Sequence, residues 1–380
     1  MARNIYQRLD NLKARRSGTD RLQFAADSAG ELLRKSALTE DYQKRSAVDK
    51  PNTRYALGSM QEVTPDYTRI SLETAQRVGR QLEQGLTNLR IQVEFRLQGS
   101  VPLNTHIRGV SDVDLLNIDT SQLTYFVVGA RSRAGLYTNP TTRSSIDVLS
   151  ALRRESERIL RSAYPAVTVD TSGAKAIHLS GGSLARLVDV VPAHWLDTIA
   201  YQDSGQEHDR GVTILNKLVP TTIDNLPFLH IKRVTERDAE TLGSLKKAIR
   251  LCKNVKSDAE EDGKRIALGS YEIAAILYHA DASALRAGYI YELGILAEAQ
   301  RYLDWLYHNQ LEAQKLMVPD GSRKIFDSPD KLLGLTSLSV EMDELMREVG
   351  KEQSPILRSG TPTLDASRSA VSQLYIPAAG

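Results

Sequence analysis

The sequence predicts an α+β fold in which a mixed sheet with helices is followed by a helical lobe. Segments that alternate between apolar and polar residues lie between Ile91 and Val191, with turn residues between them. From about Leu226 this alternation gives way to the 3.6-residue period of amphipathic helices. A chain of 380 residues is long enough to form two lobes of this kind.

The individual elements follow in order from these periods. Ser71 is the predicted N-cap of a long amphipathic helix whose apolar stripe includes Leu72, Val78 and Leu86. Alternation predicts strands at Ile91–Leu97, Val113–Ile118, Ala166–Asp170, Ala176–Ser180 and Leu184–Val191. A helix over Ser145–Tyr164 separates the second strand from the third. The helices expected in the second lobe are Asp238–Lys256, Ser270–His279, Ala282–His308 and Val340–Glu348.

These elements divide the chain into four expected segments. Residues 1–60 are polar and charged and are expected to form an N-terminal helical arm. The core with its long helix occupies 61–225, and the helical lobe occupies 226–350. Residues 351–380 contain Ser and Pro in a polar context, which cannot form a core of its own, so a flexible tail is expected there.

Composition excludes several classes of protein. The 49 Lys and Arg nearly balance the 47 Asp and Glu, and a net charge of +2 argues against a stable nucleic-acid partner. Cys252 is the only cysteine, and the seven histidines lack zinc-ligand spacing, so neither a disulfide framework nor a zinc site is expected. No stretch approaches the ~20 apolar residues of a membrane span, and no signal peptide is predicted. A cytoplasmic protein without a membrane partner is therefore expected.

A pair of acids downstream of a Gly-Ser turn points to specific chemistry. Asp112 and Asp114 are two residues apart on a predicted strand, so their carboxylates share one face. Two adjacent carboxylates repel each other unless a cation neutralises them, and paired divalent metals also activate a hydroxyl. Gly99 and Ser100 allow backbone amides and a hydroxyl to approach a phosphate. This combination predicts transfer of a nucleotidyl group.

A third acid lies in an apolar run further along the chain. Asp189 is at the centre of Leu187–Ala193, and acids are seldom buried without a partner. If its strand pairs beside the Asp112/Asp114 strand, three carboxylates converge at a site that suits Mg²⁺. The alternative is a structural ion pair between Asp189 and Arg186.

These motifs resemble those of a known family. Gly99-Ser100, Asp112-x-Asp114 and Asp189-Val-Val-Pro are similar to the signature of the polymerase-beta-like nucleotidyltransferases. The resemblance extends over roughly Tyr55 to Asp327 and narrows to the bacterial CD-NTases of the CBASS antiphage systems, which are relatives of cyclic GMP–AMP synthase and oligoadenylate synthetase. The narrowing rests on the segments Asp189–Trp195, Thr241–Lys253 and Leu268–Leu277.

The resemblance implies a fold and a set of site residues. The fold would be a nucleotidyltransferase palm plus an oligoadenylate-synthetase-like helical lobe, bilobed with the active site in the cleft. Two Mg²⁺ ions, with Mn²⁺ as a substitute, would be held by the catalytic residues Asp112, Asp114 and Asp189. The nucleotide-binding residues would be Gly99, Ser100, Lys253, Ser270 and Tyr271, with Tyr271 stacking on a base. From the residues alone, Lys253 could equally lie on a solvated basic helix face, and Ser270 could be only an N-cap.

The implied activity joins nucleoside triphosphates (ATP, GTP or a pyrimidine nucleotide) into a cyclic di- or trinucleotide and releases pyrophosphate. That product would reach a separate downstream effector. A linear nucleotidyltransferase acting on RNA or a small acceptor, and a catalytically silent nucleotide-binding regulator, are the alternatives. The apolar end of the chain at Gly380 would also suit a ubiquitin-transfer-like conjugating partner, although ordinary composition explains it equally well.

Overall fold

The computed structural model describes residues 4–17 and 40–378. The chain forms two compact units. We call Thr64–Leu103 with Ser111–Arg233 the sheet unit, and Met1–Val63 with Asn104–Val110 and Val234–Gly380 the helical unit. The predicted conjugation point, Gly380, lies outside the described residues.

The sheet unit contains a mixed, seven-stranded sheet, in agreement with the predicted fold class. Its strands are β1 Val93–Gln98, β2 Val113–Tyr125, β3 Thr168–Asp170, β4 Ile177–Ser180, β5 Val188–Asp197, β6 Gly211–Asn216 and β7 Thr221–Asn225. Their order is β1-β2-β5-β4-β3, while β6 pairs with β5 and β7 pairs with β6. Only β2 and β5 run parallel among these pairs, and the other pairs are antiparallel.

The described helices are α1 Ile5–Ser17, α2 Asp41–Lys44, α3 Pro51–Met60, α4 Pro65–Thr87, α5 Ala130–Arg133, α6 Ser145–Ala163, α7 Ile199–Ser204, α8 Pro227–Glu240, α9 Ser244–Glu261, α10 Ser270–Tyr278, α11 Ala282–Ala287, α12 Leu293–His308, α13 Gln310–Ala313, α14 Pro329–Gln353 and α15 Leu364–Val371. Short 3₁₀ helices lie at Glu207–Asp209 and Pro355–Arg358. None of these described helices combines the length and apolar character that crossing a membrane requires.

Two strands escaped the sequence prediction, which ended the sheet at Val191. β6 is almost wholly buried, so it lacks the polar positions that produce alternation. β7 contains a single apolar residue, Ile223, among polar ones. Both strands are recognisable only through their pairing with each other and with β5.

The long helix α4 begins earlier than predicted. Its N-cap is Thr64, whose hydroxyl oxygen accepts a hydrogen bond from the Tyr67 amide at 3.3 Å. Ser71 is therefore not the cap, and its buried hydroxyl donates to the Tyr67 carbonyl inside the helix. α4 and α6 pack together on the sheet through a core that includes Val78, Leu82, Leu86, Leu152, Leu160, Val113, Leu115, Val188 and Val190.

The helical unit combines the N-terminal helices with those of the second half of the chain. The Arg15 guanidinium of α1 donates two hydrogen bonds to the Asp258 carboxylate of α9, at 2.7 and 2.8 Å, and the Tyr55 hydroxyl of α3 also donates to it. The predicted helix Asp238–Lys256 is two helices, because Leu242 and Gly243 take positive φ angles of 54° and 86° between α8 and α9.

The structure also differs from the prediction in the C-terminal tail. Thr363 caps helix α15 within the segment expected to be flexible, and α15 packs against α14 and α12. Ser367 and Val371 on α15 are fully buried. Beyond the helix, the Arg45 guanidinium donates hydrogen bonds to the carbonyl oxygens of Ile376 and Pro377 at 3.2 and 3.0 Å. Helix α15 of the tail thus packs on the unit's own helices, whereas the Tyr375 side chain beyond it is 62% exposed.

Candidate active site

The parallel pairing of β2 and β5 brings the predicted acids together. Asp114 is directly opposite Asp189 in the register, and Val113 is opposite Val188. Asp112 immediately precedes β2. Convergence of the acids required the Asp189 strand to pair beside the Asp112/Asp114 strand, and this pairing of β5 with β2 is present in the sheet.

A histidine joins two of these acids. The donor atoms of Asp112, His178 and Asp189 lie within 4.8 Å of one another. His178 is on β4, directly opposite Asp189 on β5, and its Nδ1 lies 2.6 Å from Asp189 Oδ1. The Arg186 guanidinium, the alternative partner of Asp189, lies over the Tyr67 ring at 3.8 Å. His178 cannot be recognised from the sequence, because the irregular connection between β4 and β5 does not reveal the register that places it opposite Asp189.

The electrostatics of this cluster favour a bound cation. Burial of Asp189, followed by the nearby Asp112 carboxylate, raises the pKa of Asp189 to about 6, although His178 opposes the shift. Val188 and Val190 point into the core on the opposite face of the strand, whereas the Asp189 side chain is 21% exposed and is only partly screened by water. Two crowded carboxylates with an adjacent imidazole form a donor set that fits a divalent cation.

The Gly-Ser turn lies directly against the acid pair. Gly99 has φ = +77°, a conformation that only glycine adopts without strain. A Cβ atom at Gly99 would lie 2.1 Å from Asp114 Oδ2, so any side chain would collide with that carboxylate. Ser100 follows in the same turn. Glycine is therefore required here both by the backbone angle and by the position of Asp114.

The basic face of α9 is not solvated, contrary to one sequence-based alternative for Lys253. The Lys253 ammonium is buried and donates to the Thr105 carbonyl at 2.8 Å. One turn earlier, the Arg250 guanidinium donates to the Asn104 carbonyl at 2.7 Å, and burial lowers its pKa to about 10. These bonds attach the segment Asn104–Val110 to α9 within the helical unit.

The start of α10 differs in detail from the prediction. Ser270 is the exposed first residue of the helix, and Gly269 is the N-cap, so the alternative in which Ser270 is only an N-cap is wrong. The Tyr271 hydroxyl donates to Asp320 Oδ2 at 2.5 Å. The Arg323 guanidinium lies over the Tyr271 ring, 5.1 Å from its centroid. Burial and the Asp320 carboxylate raise the pKa of Tyr271.

Known proteins share this fold and much of this sequence. Residues 232–338 match the family model of the cGAS/DncV-like nucleotidyltransferase C-terminal helical domain. The cyclic dinucleotide synthase CdnE of Yersinia aleksiciae is 42% identical over 357 residues, which cover 91% of this chain and 92% of that protein. A c-di-GMP synthase of a Lachnospiraceae bacterium is 31% identical, over 80% of this chain and 90% of that protein.

A solved structure matches the chain over nearly its whole length. The STING-associated CdnE c-di-GMP synthase from Flavobacteriaceae sp. superimposes with a TM-score of 0.70 at 25% identity, covering 93% of this chain and all of that one. The mixed sheet with its convergent acids and the matched helical domain define a nucleotidyltransferase. The chain belongs to the CD-NTase family of CBASS systems, whose members synthesise cyclic oligonucleotides, and the resemblance seen in the sequence is confirmed.

Proposed function

We propose that this protein is a divalent-metal-dependent synthase that joins two nucleoside triphosphates into a cyclic dinucleotide and releases pyrophosphate. The observation that carries the proposal is the convergence of Asp112 and Asp189, with Asp114 on the neighbouring strand opposite Asp189. The name of the 42%-identical relative supports a dinucleotide rather than a trinucleotide product. Two relatives named c-di-GMP synthases support GTP as a substrate.

Asp112, Asp114 and Asp189 are the residues that would hold Mg²⁺, or Mn²⁺ in its place. A divalent cation bound there assists ionisation of the attacking ribose hydroxyl and neutralises charge on the triphosphate. Burial and the Asp112 carboxylate raise the pKa of Asp189, a cost that a bound cation would relieve; ionised Asp189 would bind that cation and accept the hydroxyl proton. The attack would then proceed on an α-phosphate, with pyrophosphate as the leaving group.

The remaining predicted residues would hold the nucleotides. The amides of the Gly99 turn and the Ser100 hydroxyl would contact the β- or γ-phosphate of the donor. The Lys253 ammonium, which donates to the Thr105 carbonyl, would also contact a phosphate of the nucleotide. Ser270, in the first turn of α10, would bind a phosphate, since helix N-termini favour anions. Tyr271 would stack on a base through its aromatic ring.

A labelling experiment tests this function directly. Purified protein is incubated with radiolabelled triphosphates, singly and in mixtures, in the presence of Mg²⁺ or Mn²⁺, and the products are then treated with phosphatase. We expect a phosphatase-resistant dinucleotide that contains guanine, with its bases assigned by mass spectrometry. Phosphatase-sensitive products would instead identify a linear nucleotidyltransferase. Nucleotide binding without product under all these conditions would identify a nucleotide-binding regulator.

One partner follows from the proposed activity, and a second is proposed from the C-terminal residues. The cyclic product would act through a separate effector protein, because a diffusible nucleotide needs its own receptor. A conjugating partner at Gly380 remains a proposal about residues outside the described part of the chain. Mass spectrometry of the protein purified from its host would reveal such a linkage as an isopeptide-bonded C-terminal peptide.

A further inference from the structure

The nitrogen donor beside the two acids sets this site apart from one built of carboxylates alone. We propose that His178 directly ligates the divalent cation bound by Asp112 and Asp189, and that it makes the site prefer Mn²⁺ to Mg²⁺. This inference rests on the metal dependence proposed above. It adds a ligand and a metal preference that the three-acid motif does not contain.

The geometry places all three donors around one point. Antiparallel pairing of β4 and β5 puts His178 directly opposite Asp189, and the donor atoms of the two residues and Asp112 lie within 4.8 Å of one another. Neighbouring ligands on an octahedral ion with bonds of ~2.1 Å are about 3 Å apart. His178 Nδ1 and Asp189 Oδ1 are 2.6 Å apart, so a small separation of the two groups makes room for an ion.

The surroundings of His178 leave the ring accessible to a metal. Its side chain is 38% exposed, whereas its strand neighbours Ile177 and Leu179 are fully buried in the core. The ring therefore lies on the open side of the sheet together with Asp189, and a ligand exchange there does not disturb the core. Asp114, with its carboxylate against Gly99, is outside this donor set among the described residues.

Donor chemistry gives the metal preference. Mg²⁺ takes oxygen ligands almost exclusively, whereas imidazole nitrogen is a common ligand of first-row transition ions. Mn²⁺ also prefers oxygen ligands, but as a first-row transition ion it takes an imidazole nitrogen more readily than Mg²⁺ does. A site with two carboxylates and one imidazole therefore gains more from Mn²⁺ than from Mg²⁺. An imidazole that only donated Nδ1–H to Asp189 would orient that carboxylate equally for either ion.

Electron paramagnetic resonance of Mn²⁺ bound to the full-length protein, free of any affinity tag, tests the proposal. In the wild-type protein we expect coupling from a directly bound imidazole ¹⁴N, together with displacement of Mn²⁺ only by a large excess of Mg²⁺. His178→Asn keeps an amide donor for Asp189 but has no imidazole. It should abolish the nitrogen coupling and lower the ratio of Mn²⁺ to Mg²⁺ affinity by about 10-fold or more.

Three results separate this inference from the proposed function. Absence of nitrogen coupling in the wild-type spectrum would overturn direct ligation, and this measurement needs no variant. Equal losses of Mn²⁺ and Mg²⁺ affinity in His178→Asn would assign His178 a positioning role only and would also overturn the proposal. Asp112→Asn should abolish tight binding of both ions, and retention of tight binding there would refute the metal site itself.

Discussion

The Tyr271 hydroxyl donates a hydrogen bond to Asp320 Oδ2 at 2.5 Å, and Asp320 is only 7% exposed. The Ser322 amide donates to the other carboxylate oxygen of Asp320 at 2.9 Å. The tyrosine at the start of α10 is thus tied to a buried acid through its hydroxyl, while Arg323 lies over its ring. The hydroxyl and the ring of Tyr271 consequently have separable roles.

Tyr271→Phe should separate stability from nucleotide binding. The ring remains, but buried Asp320 loses a donor, so we expect the free energy of unfolding to fall by about 1–3 kcal/mol. Denaturant titration measures this loss of stability, with Tyr289→Phe, at a 69%-exposed tyrosine, as the matched control.

If the ring of Tyr271 stacks on a base, Tyr271→Ala should weaken nucleotide binding by about 1–3 kcal/mol, whereas the folded Tyr271→Phe variant should bind nucleotide normally. Equal binding losses in both variants would argue against stacking.

Asp112→Asn and Asp189→Asn should each abolish synthesis. A neutral amide cannot replace a charged ligand for a hard cation, so the loss should exceed the about 10- to 100-fold typical of outer-shell partners. Product formation from labelled triphosphates is the measurement. Asp203→Asn, at an exposed acid of the same unit, should leave the rate unchanged. Near-wild-type synthesis by a combined Asp112→Asn and Asp114→Asn variant would show that the active site lies elsewhere.

Gly99→Ala should damage the site more than a positive φ angle alone can explain. The new methyl group would lie 2.1 Å from Asp114 Oδ2 and displace that carboxylate. Gly135→Ala is the matched control, because Gly135 has a similar φ of +70° but a Cβ there would meet nothing within 4 Å. Both variants should lose about 1–2 kcal/mol of stability from backbone strain. Only Gly99→Ala should lose synthesis, and equal activities would contradict the clash.

The metal-free protein should lose stability as the pH rises through about 6. Asp189 has its pKa raised from ~3.9 in the unfolded chain to about 6, so the folded state holds its proton more tightly. The resulting stabilisation is present below pH ~4 and disappears between pH ~4 and 6. Relative to Asp189→Asn, the wild-type protein in chelator should therefore be less stable at pH 7 than at pH 4, by about 1–3 kcal/mol. A pH-independent difference would contradict this linkage.

Deletion of Tyr375–Gly380 should leave basal synthesis unchanged. The deletion removes the backbone carbonyls of Ile376 and Pro377 that accept hydrogen bonds from Arg45. It removes little buried apolar surface, because the Tyr375 side chain is 62% exposed. By contrast, Val371→Ala removes fully buried methyl groups and should cost about 2 kcal/mol. Melting temperatures compare the two variants. If Gly380 is conjugated, attachment to cellular targets should be lost only in the deletion.

Much of the candidate site could be predicted from the sequence because its residues follow local patterns. The two-residue spacing of Asp112 and Asp114 needs only a strand, and Gly99 is required by a turn whose backbone angle the Gly-Ser pair already indicates. The apolar run around Asp189 marks a buried strand with one exceptional acid. The strands β1 to β5 and the helix α6 follow from periodicity in the same way. Motif order then sufficed to recognise the family.

What only the tertiary structure decided depends on contacts between residues distant along the chain. The parallel register of β2 with β5 places Asp189 beside Asp114, and the register of β4 with β5 adds His178; neither register follows from local periodicity. The same holds for the bond between Tyr271 and Asp320, and for the burial of Lys253 against Thr105. Sequence periodicity identifies which face of an element is apolar, but the neighbour that face meets is set by the packing of the whole chain.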